Sequence, residues 1–154
     1  MADQGFRVLE LSLQGFKCSQ ILAILALEAR GETSPELVRA ATGLLGGMES
    51  GRECGCLTGG CCVLGLYAGR GGPDEIADDR LPEMLESLSA WFDDTYGARY
   101  GGTTCAAITG GDFAAQQARC PEIVVETLRK LDRILAVNGY APDGSRIDGA
   151  EDEA

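Results

Sequence analysis

The sequence contains no histidine. That absence removes Ser-His-Asp and Cys-His nucleophile pairs, Cys₂His₂ zinc fingers, His-ligated haem and the two-histidine iron triad, all of which need an imidazole. Basic residues are also scarce, with 13 Lys+Arg against 24 Asp+Glu and a formal charge of −11. A sequence-independent grip on nucleic acid comes from cations that neutralise phosphates, and anionic membrane surfaces attract the same cations, so neither partner is expected. Long apolar runs are missing too. Ile21 to Leu27 is the longest near the start, far short of the roughly 20 residues that span a bilayer. No basic leader precedes it, so membrane insertion is not expected and the expected compartment is the cytoplasm.

Cysteine, by contrast, is abundant, with seven in 154 residues. Cytoplasmic thiols are kept reduced, so clustered cysteines there point to metal binding or redox chemistry, and an odd count suits a disulfide framework poorly. Glycine is the other excess: 22 residues, against a typical share of about 7%. An apolar fraction of 45% is enough for one ordinary core. The length suits one domain, expected over residues 1–140, followed by an acidic, glycine-bearing tail over 141–154 expected to be disordered.

The apolar spacing predicts helices nearly throughout and no strand of useful length, hence an all-α fold: a compact helical bundle with glycine-rich loops that carry cysteines. Phe6, Leu9, Leu13 and Phe16 mark one apolar face before Gly15 interrupts the chain. Cys18, Ile21, Leu22, Leu25 and Ala29 mark the next, closed by Gly31. Ser34-Pro35-Glu36 reads as a cap, first-turn proline and early acid. Cys54 to Tyr67 is small and apolar almost all round and should be the most buried helix. Asp74 should open a helical stretch that Pro82 interrupts and that resumes through Trp91 and Phe92. Residues 97–119 should hold at most a short helix. Pro121 should begin the last helix, stopped by Asn138-Gly139. Trp91, Phe92 and Tyr96 fall at helical spacing and read as core, whereas Asp78-Asp79 and Asp93-Asp94 read as solvated surface.

Four cysteines, Cys54, Cys56, Cys61 and Cys62, lie within nine residues, while Cys18, Cys105 and Cys120 stand singly. Cys54-x-x-Leu57-Thr58-Gly59-Gly60 is echoed by Cys105-x-x-Ile108-Thr109-Gly110-Gly111. Cys18, Cys54, Cys120 and, before a short turn, Cys105 are expected at helix N-termini. Free N–H groups and the positive end of the dipole there favour the thiolate, which is both nucleophile and metal ligand. If a helix starts near Cys54, Cys61 returns to nearly the same face and Cys62 lies about 80° round, while Cys56 points away unless it sits in the preceding turn.

The spacing of Cys18, then Cys54-Gly55-x-x-x-Gly59 after a glycine-rich lead (Gly43, Gly46, Gly47, Gly51), then Cys105 and Cys120, resembles the C_GCAxxG_C_C family of redox-active proteins. It is also similar to the iron–sulfur domain of split-Soret cytochromes. The likeness covers about residues 5–138. It implies a small helical protein that uses four cysteines, by position Cys18, Cys54, Cys105 and Cys120, for redox work or to hold a cluster. This chain departs from the pattern in carrying Cys56 where the family usually has alanine, and in adding Cys61 and Cys62. With no histidine, the haem half of the likeness does not carry over.

Three chemistries follow. The leading expectation is an iron–sulfur cluster of unspecified nuclearity for electron transfer, in an anaerobic setting. Its ligands would be drawn from Cys18, Cys54, Cys105, Cys120 and Cys61, with Cys56 and Cys62 as further candidates. The alternative is a thiol–disulfide oxidoreductase or redox sensor using Cys54/Cys56 and Cys61/Cys62. A Cys₄ zinc site ranks last, because the outer cysteines do not form paired knuckles. A redox partner protein is expected, and the reading leaves room for a homodimer.

Overall fold

In the computed structural model, which describes residues 3–147, the chain is all-α. Its helices are α1 (Gln4–Leu13), α2 (Cys18–Ala29), α3 (Pro35–Ala41), α4 (Gly55–Ala68), α5 (Leu81–Phe92), the single turn α6 (Ala98–Tyr100), α7 (Cys105–Thr109) and α8 (Phe113–Val137). Among the described residues only two isolated β-bridges occur, Glu53 with Thr104 and Tyr140 with Arg146.

α4 is the hub, packed by α2, α5 and α8. Its glycines allow this. A Cβ on Gly59 would stand 2.9 Å from the Ser19 Cα, and one on Gly60 would stand 2.9 Å from Leu88 Cδ2, so α2 and α5 both approach closer than alanine would permit. Around them the core closes with Leu22, Leu64, Leu88, Phe92, Tyr96 and Leu131. Burial pushes the Tyr96 hydroxyl's pKa up, and the hydroxyl donates to Glu126.

Several boundaries follow local chemistry. Ser34 Oγ accepts from the Leu37 N–H at 3.2 Å, capping α3 as expected. Gly15 and Gly31 adopt φ of +94° and +68°, which end α1 and α2. Others differ from expectation. The buried face of α1 is Val8 and Leu11, while Phe6, Leu9 and Leu13 are exposed, because the helix turns the Val8 side toward α8 and the core. Residues 74–80 are not helical; α5 starts at Leu81 with Pro82 in its first turn, where the missing N–H costs nothing. Asp78 is not solvated surface. It accepts from the Arg80 side chain at 2.8 Å, the Tyr140 hydroxyl at 2.6 Å and Arg146 at 3.3 Å, and the Arg80 hydrogen bonds foremost hold its carboxyl well below the usual range.

The last helix starts eight residues before Pro121. Asp112 caps it by accepting from the Ala115 N–H at 2.9 Å. Pro121 then removes only one ladder bond, to the carbonyl of exposed Gln117, which water can satisfy. Of the tail, residues 141–147 fold back: Tyr67 donates to the Pro142 carbonyl at 2.6 Å and the Ile147 N–H bonds the Gly139 carbonyl at 2.8 Å. The remainder of the expected disordered tail lies outside the described residues.

Candidate thiol site

The two echoed segments meet. Glu53 bridges Thr104; the Cys54 N–H donates to the Thr103 carbonyl at 3.0 Å and the Cys105 N–H to the Arg52 carbonyl at 2.6 Å. This short pairing sets Cys54, the N-cap of α4, beside Cys105, the first residue of α7. Each segment's threonine then bonds back one turn, Thr58 to the Cys54 carbonyl at 3.4 Å and Thr109 to the Cys105 carbonyl at 2.8 Å.

Two further helices complete the site. Cys18 opens α2, and its Sγ lies over Gly55, where a Cβ would stand only 2.5 Å away. Cys120 comes from the interior of α8, which Arg119 ties to α7 by donating to the Ile108 carbonyl. A fourth wall is the left-handed turn of Gly46, Gly47, Met48 and Glu49, with φ between +53° and +63°. Gly47 there packs against the Arg52 backbone, which a Cβ would meet at 2.3 Å.

The result is a small, partly open cavity of about 30 Å³, lined by Cys18, Cys54, Cys56, Cys105 and Cys120 with Gly46, Gly55, Ile108, Thr109 and Ile123. That is room enough for a water molecule. Five thiols from four stretches of chain therefore converge on a small, mostly apolar space. Among the described residues, no group of three or more His, Cys, Asp or Glu side chains is placed so that it could hold a metal ion as it stands.

The sulfurs are electrostatically unequal. The Cys18 thiol falls to about 7, chiefly because Cys56 hydrogen-bonds it; the Ser19 N–H and hydroxyl and the Lys17 charge assist, while burial opposes. Cys54 is lowered, again first by Cys56, then by the N–H groups of Cys56 and Leu57 at the start of α4. Cys56, bonded to both and buried, is raised. Cys120 is pushed up to about 12 by burial and by the neighbouring thiols. It gains nothing from a helix terminus, since α8 begins seven residues before it, so the expected N-terminal placement holds for Cys18, Cys54 and Cys105 only.

Cys61 and Cys62 are not brought to the cavity. Cys61 is half-buried elsewhere on α4, where burial and Cys62 raise its pKa, and Cys62 is exposed. The helical count from Cys54 misled because Cys54 is a cap with φ −56° and ψ +135°, so the 100° steps begin only at Gly55. Counted from Cys56, Cys61 lies about 140° away. Cys56 is the residue that the count turned outward and that the structure turns in. With Cys54 as the cap, four residues before Thr58, Cys56 falls in the first turn of α4.

The chain matches the family described as "Putative redox-active protein (C_GCAxxG_C_C)" over residues 16–134. It belongs to that family. The matched span contains every thiol of the cavity and leaves out α1 and the chain from residue 135 on. The GCAxxG of the pattern falls on Gly55-Cys56-Leu57-Thr58-Gly59-Gly60, which corrects the expectation from sequence: Leu57, not Cys56, stands at the alanine position, and Cys56 is the cysteine of that motif. No curated protein and no solved structure matches the chain. The C_GCAxxG_C_C assignment gives redox activity as the coarse function, and the five-thiol cavity is where such chemistry would reside.

Proposed function

We propose that this C_GCAxxG_C_C protein is an electron-transfer protein that holds an iron–sulfur cluster on thiols drawn from Cys18, Cys54, Cys56, Cys105 and Cys120. The supporting observation is the convergence of thiols from separate helices on one small space, whose lining holds no carboxylate and no hydroxyl except that of Thr109, which is engaged by the Cys105 carbonyl. Thiolates are the ligands such clusters take, usually four of them. Gly55 leaves room for the Cys18 sulfur, and Ile108 and Ile123 add apolar lining. A cavity of about 30 Å³ requires the sulfurs to spread on loading. The glycine-rich turn at 46–49, in contact with the cavity through Gly46, is the wall with fewest side chains to move.

When bound, the cluster would take up and release an electron. The chain's own part is to offset the negative charge: the Ser19 N–H serves Cys18, and the N–H groups of Cys56 and Leu57 serve Cys54. The electron partner is a separate redox protein. Among the described residues no helix is long and apolar enough to cross a membrane. Anaerobic purification with iron and sulfide assay, absorption and EPR tests the reading. Iron and sulfide in matching stoichiometry, with a brown chromophore, are expected. A colourless protein that resists reconstitution rejects it, and stoichiometric zinc would replace it with a structural site.

One observation favours a second reading, thiol–disulfide exchange. Cys18, with its pKa near 7, stands next to Cys56. In that case the Cys18 thiolate attacks a substrate disulfide and expels one thiolate; Cys56 then attacks the mixed disulfide, releases the second and leaves a Cys18–Cys56 disulfide for a reducing partner. Cys56→Ser would abolish exchange while leaving a four-cysteine cluster in place.

A further inference from the structure

The thiol cavity, at about 30 Å³, is far smaller than a ligand pocket, which takes roughly 300 Å³ or more. A centre held there exchanges electrons across the protein surface above it, not with a molecule inside. That surface differs in charge from the rest of a chain whose formal charge is −11. Of the cavity's cysteines, Cys18, Cys105 and Cys120 reach solvent, and an exposed cation goes with each. Lys17 precedes Cys18, Arg119 precedes Cys120, and the Arg52 carbonyl accepts from the Cys105 N–H. Arg119 is fixed beside the lining: it donates to the Ile108 carbonyl, and its Cζ lies 5.0 Å from the centre of the Tyr100 ring. The Cζ of exposed Arg99 lies 5.8 Å from the same ring, and half-buried Tyr100 stacks on Tyr96.

Among the described residues none of these four cations forms an ion pair, whereas Arg7, Arg30, Arg80 and Arg146 all do. Of the carboxylates on the same segments, Glu53 accepts from the Thr103 hydroxyl at 3.0 Å and Glu126 from the Tyr96 hydroxyl. Glu49 and Glu122 are exposed and offset only part of the positive charge. Resting on the cluster reading above, we infer that Lys17, Arg52, Arg99 and Arg119, with Tyr100, form the docking surface for an acidic one-electron carrier protein. Arginine and tyrosine are the side chains that protein interfaces favour, which points to a protein rather than a small anion. The negative remainder of the chain repels such a carrier and turns it toward this patch. One electron passes between cluster and carrier; what one loses the other gains, and no bond forms or breaks.

The test uses cytochrome c as probe, in its native basic form and in its succinylated acidic form, each mixed with the whole chain after anaerobic reduction. At about 0.1 M salt the Debye length is about 10 Å, so a local patch outweighs distant charge. The acidic form is expected to accept electrons about tenfold faster, at a rate that falls as salt rises. Arg52→Gln/Arg99→Gln, holding as much iron as wild type, should lose most of that preference. A basic form that reacts faster, as the net charge alone demands, or wild-type preference in the double variant overturns the inference. A wild type that binds no iron rejects the cluster reading instead. Calorimetric binding of the two forms to that iron-free chain then decides the surface: preference for the acidic form supports it, and preference for the basic form or for neither overturns it.

Discussion

Cys54–Gly60 and Cys105–Gly111 have the same pattern, Cys-x-x-aliphatic-Thr-Gly-Gly, and they start alike, side by side across a two-bond pairing, with a threonine bonded back to the cysteine carbonyl. They end in opposite ways. Gly59 and Gly60 lie inside a 14-residue helix and are pressed on by α2 and α5, whereas Gly110 and Gly111 take φ of +62° and +72° and stop α7 after five residues. Glycine is permitted in both places for different reasons: absence of a side chain in the first, freedom of φ in the second. The difference teaches that a Gly-Gly pair continues a helix where other helices pack upon it and ends one where nothing does. No atom lies within 4 Å of a Cβ built on Gly110 or Gly111.

Substitutions can break this contrast, and the largest effect is expected at Gly59. Gly59→Ala gains helix propensity but drives a methyl into the Ser19 backbone, so a net loss of about 1–3 kcal/mol is expected in urea unfolding. Stabilisation would mean that α2 is free to shift. Next come the threonines. Thr109, 4% exposed, donates to the Cys105 carbonyl and accepts from the Gly111 N–H at 3.2 Å, while Thr58 makes one long bond. Thr109→Val should cost about 1–2 kcal/mol and Thr58→Val less than about 0.5 kcal/mol by the same measurement. Equal costs would remove the asymmetry.

Gly110→Ala has space around it but the wrong φ, so about 1 kcal/mol should be lost, with no change in the packing of aromatic residues seen by near-ultraviolet circular dichroism. The smallest effect belongs to Thr127, which faces Gly60 and whose buried Oγ1 has no hydrogen-bond partner. Thr127→Val should be neutral or slightly stabilising in thermal unfolding, since it removes an unsatisfied hydroxyl. A clear drop in Tm would show that the hydroxyl has a partner.

Acid should act elsewhere. Asp78 is held ionised in the fold by Arg80, Tyr140 and Arg146. With its folded pKa depressed, its contribution is complete above the ordinary carboxylate value near 4 and is lost as the pH falls below it. Asp78→Asn should therefore reduce stability at pH 7 and flatten its decline between about pH 4 and pH 2.

Much of the fold was legible. Ser34-Pro35, Gly31, Asn138-Gly139 and the all-apolar α4 behave as their local chemistry dictates. The same rules failed where two local signals competed. Pro121 was a good start signal, but Asp112 supplied an earlier cap and the proline's one lost bond faced water. Phe6, Leu9 and Leu13 formed an apolar stripe, yet Val8 and Leu11, at equally helical spacing, met the core. All seven cysteines were candidates in the sequence, and the structure gathers Cys18, Cys54, Cys56, Cys105 and Cys120 in one cavity while Cys61 and Cys62 lie outside it. Spacing alone did not separate the two groups, because the cap at Cys54 breaks the helical count by its own dihedrals.

Composition and order of residues sufficed for an all-α chain, thiol chemistry without imidazole, and glycines wherever the backbone turns or is crowded, since these depend on neighbours within a few positions. Which glycine pair would end a helix, which face of α1 would be covered and which five of seven thiols would share a cavity depended on contacts between residues far apart in the chain. Those contacts exist only once α2, α4, α7 and α8 have packed, and it is their packing that turns Cys56 inward and leaves Cys62 in solvent.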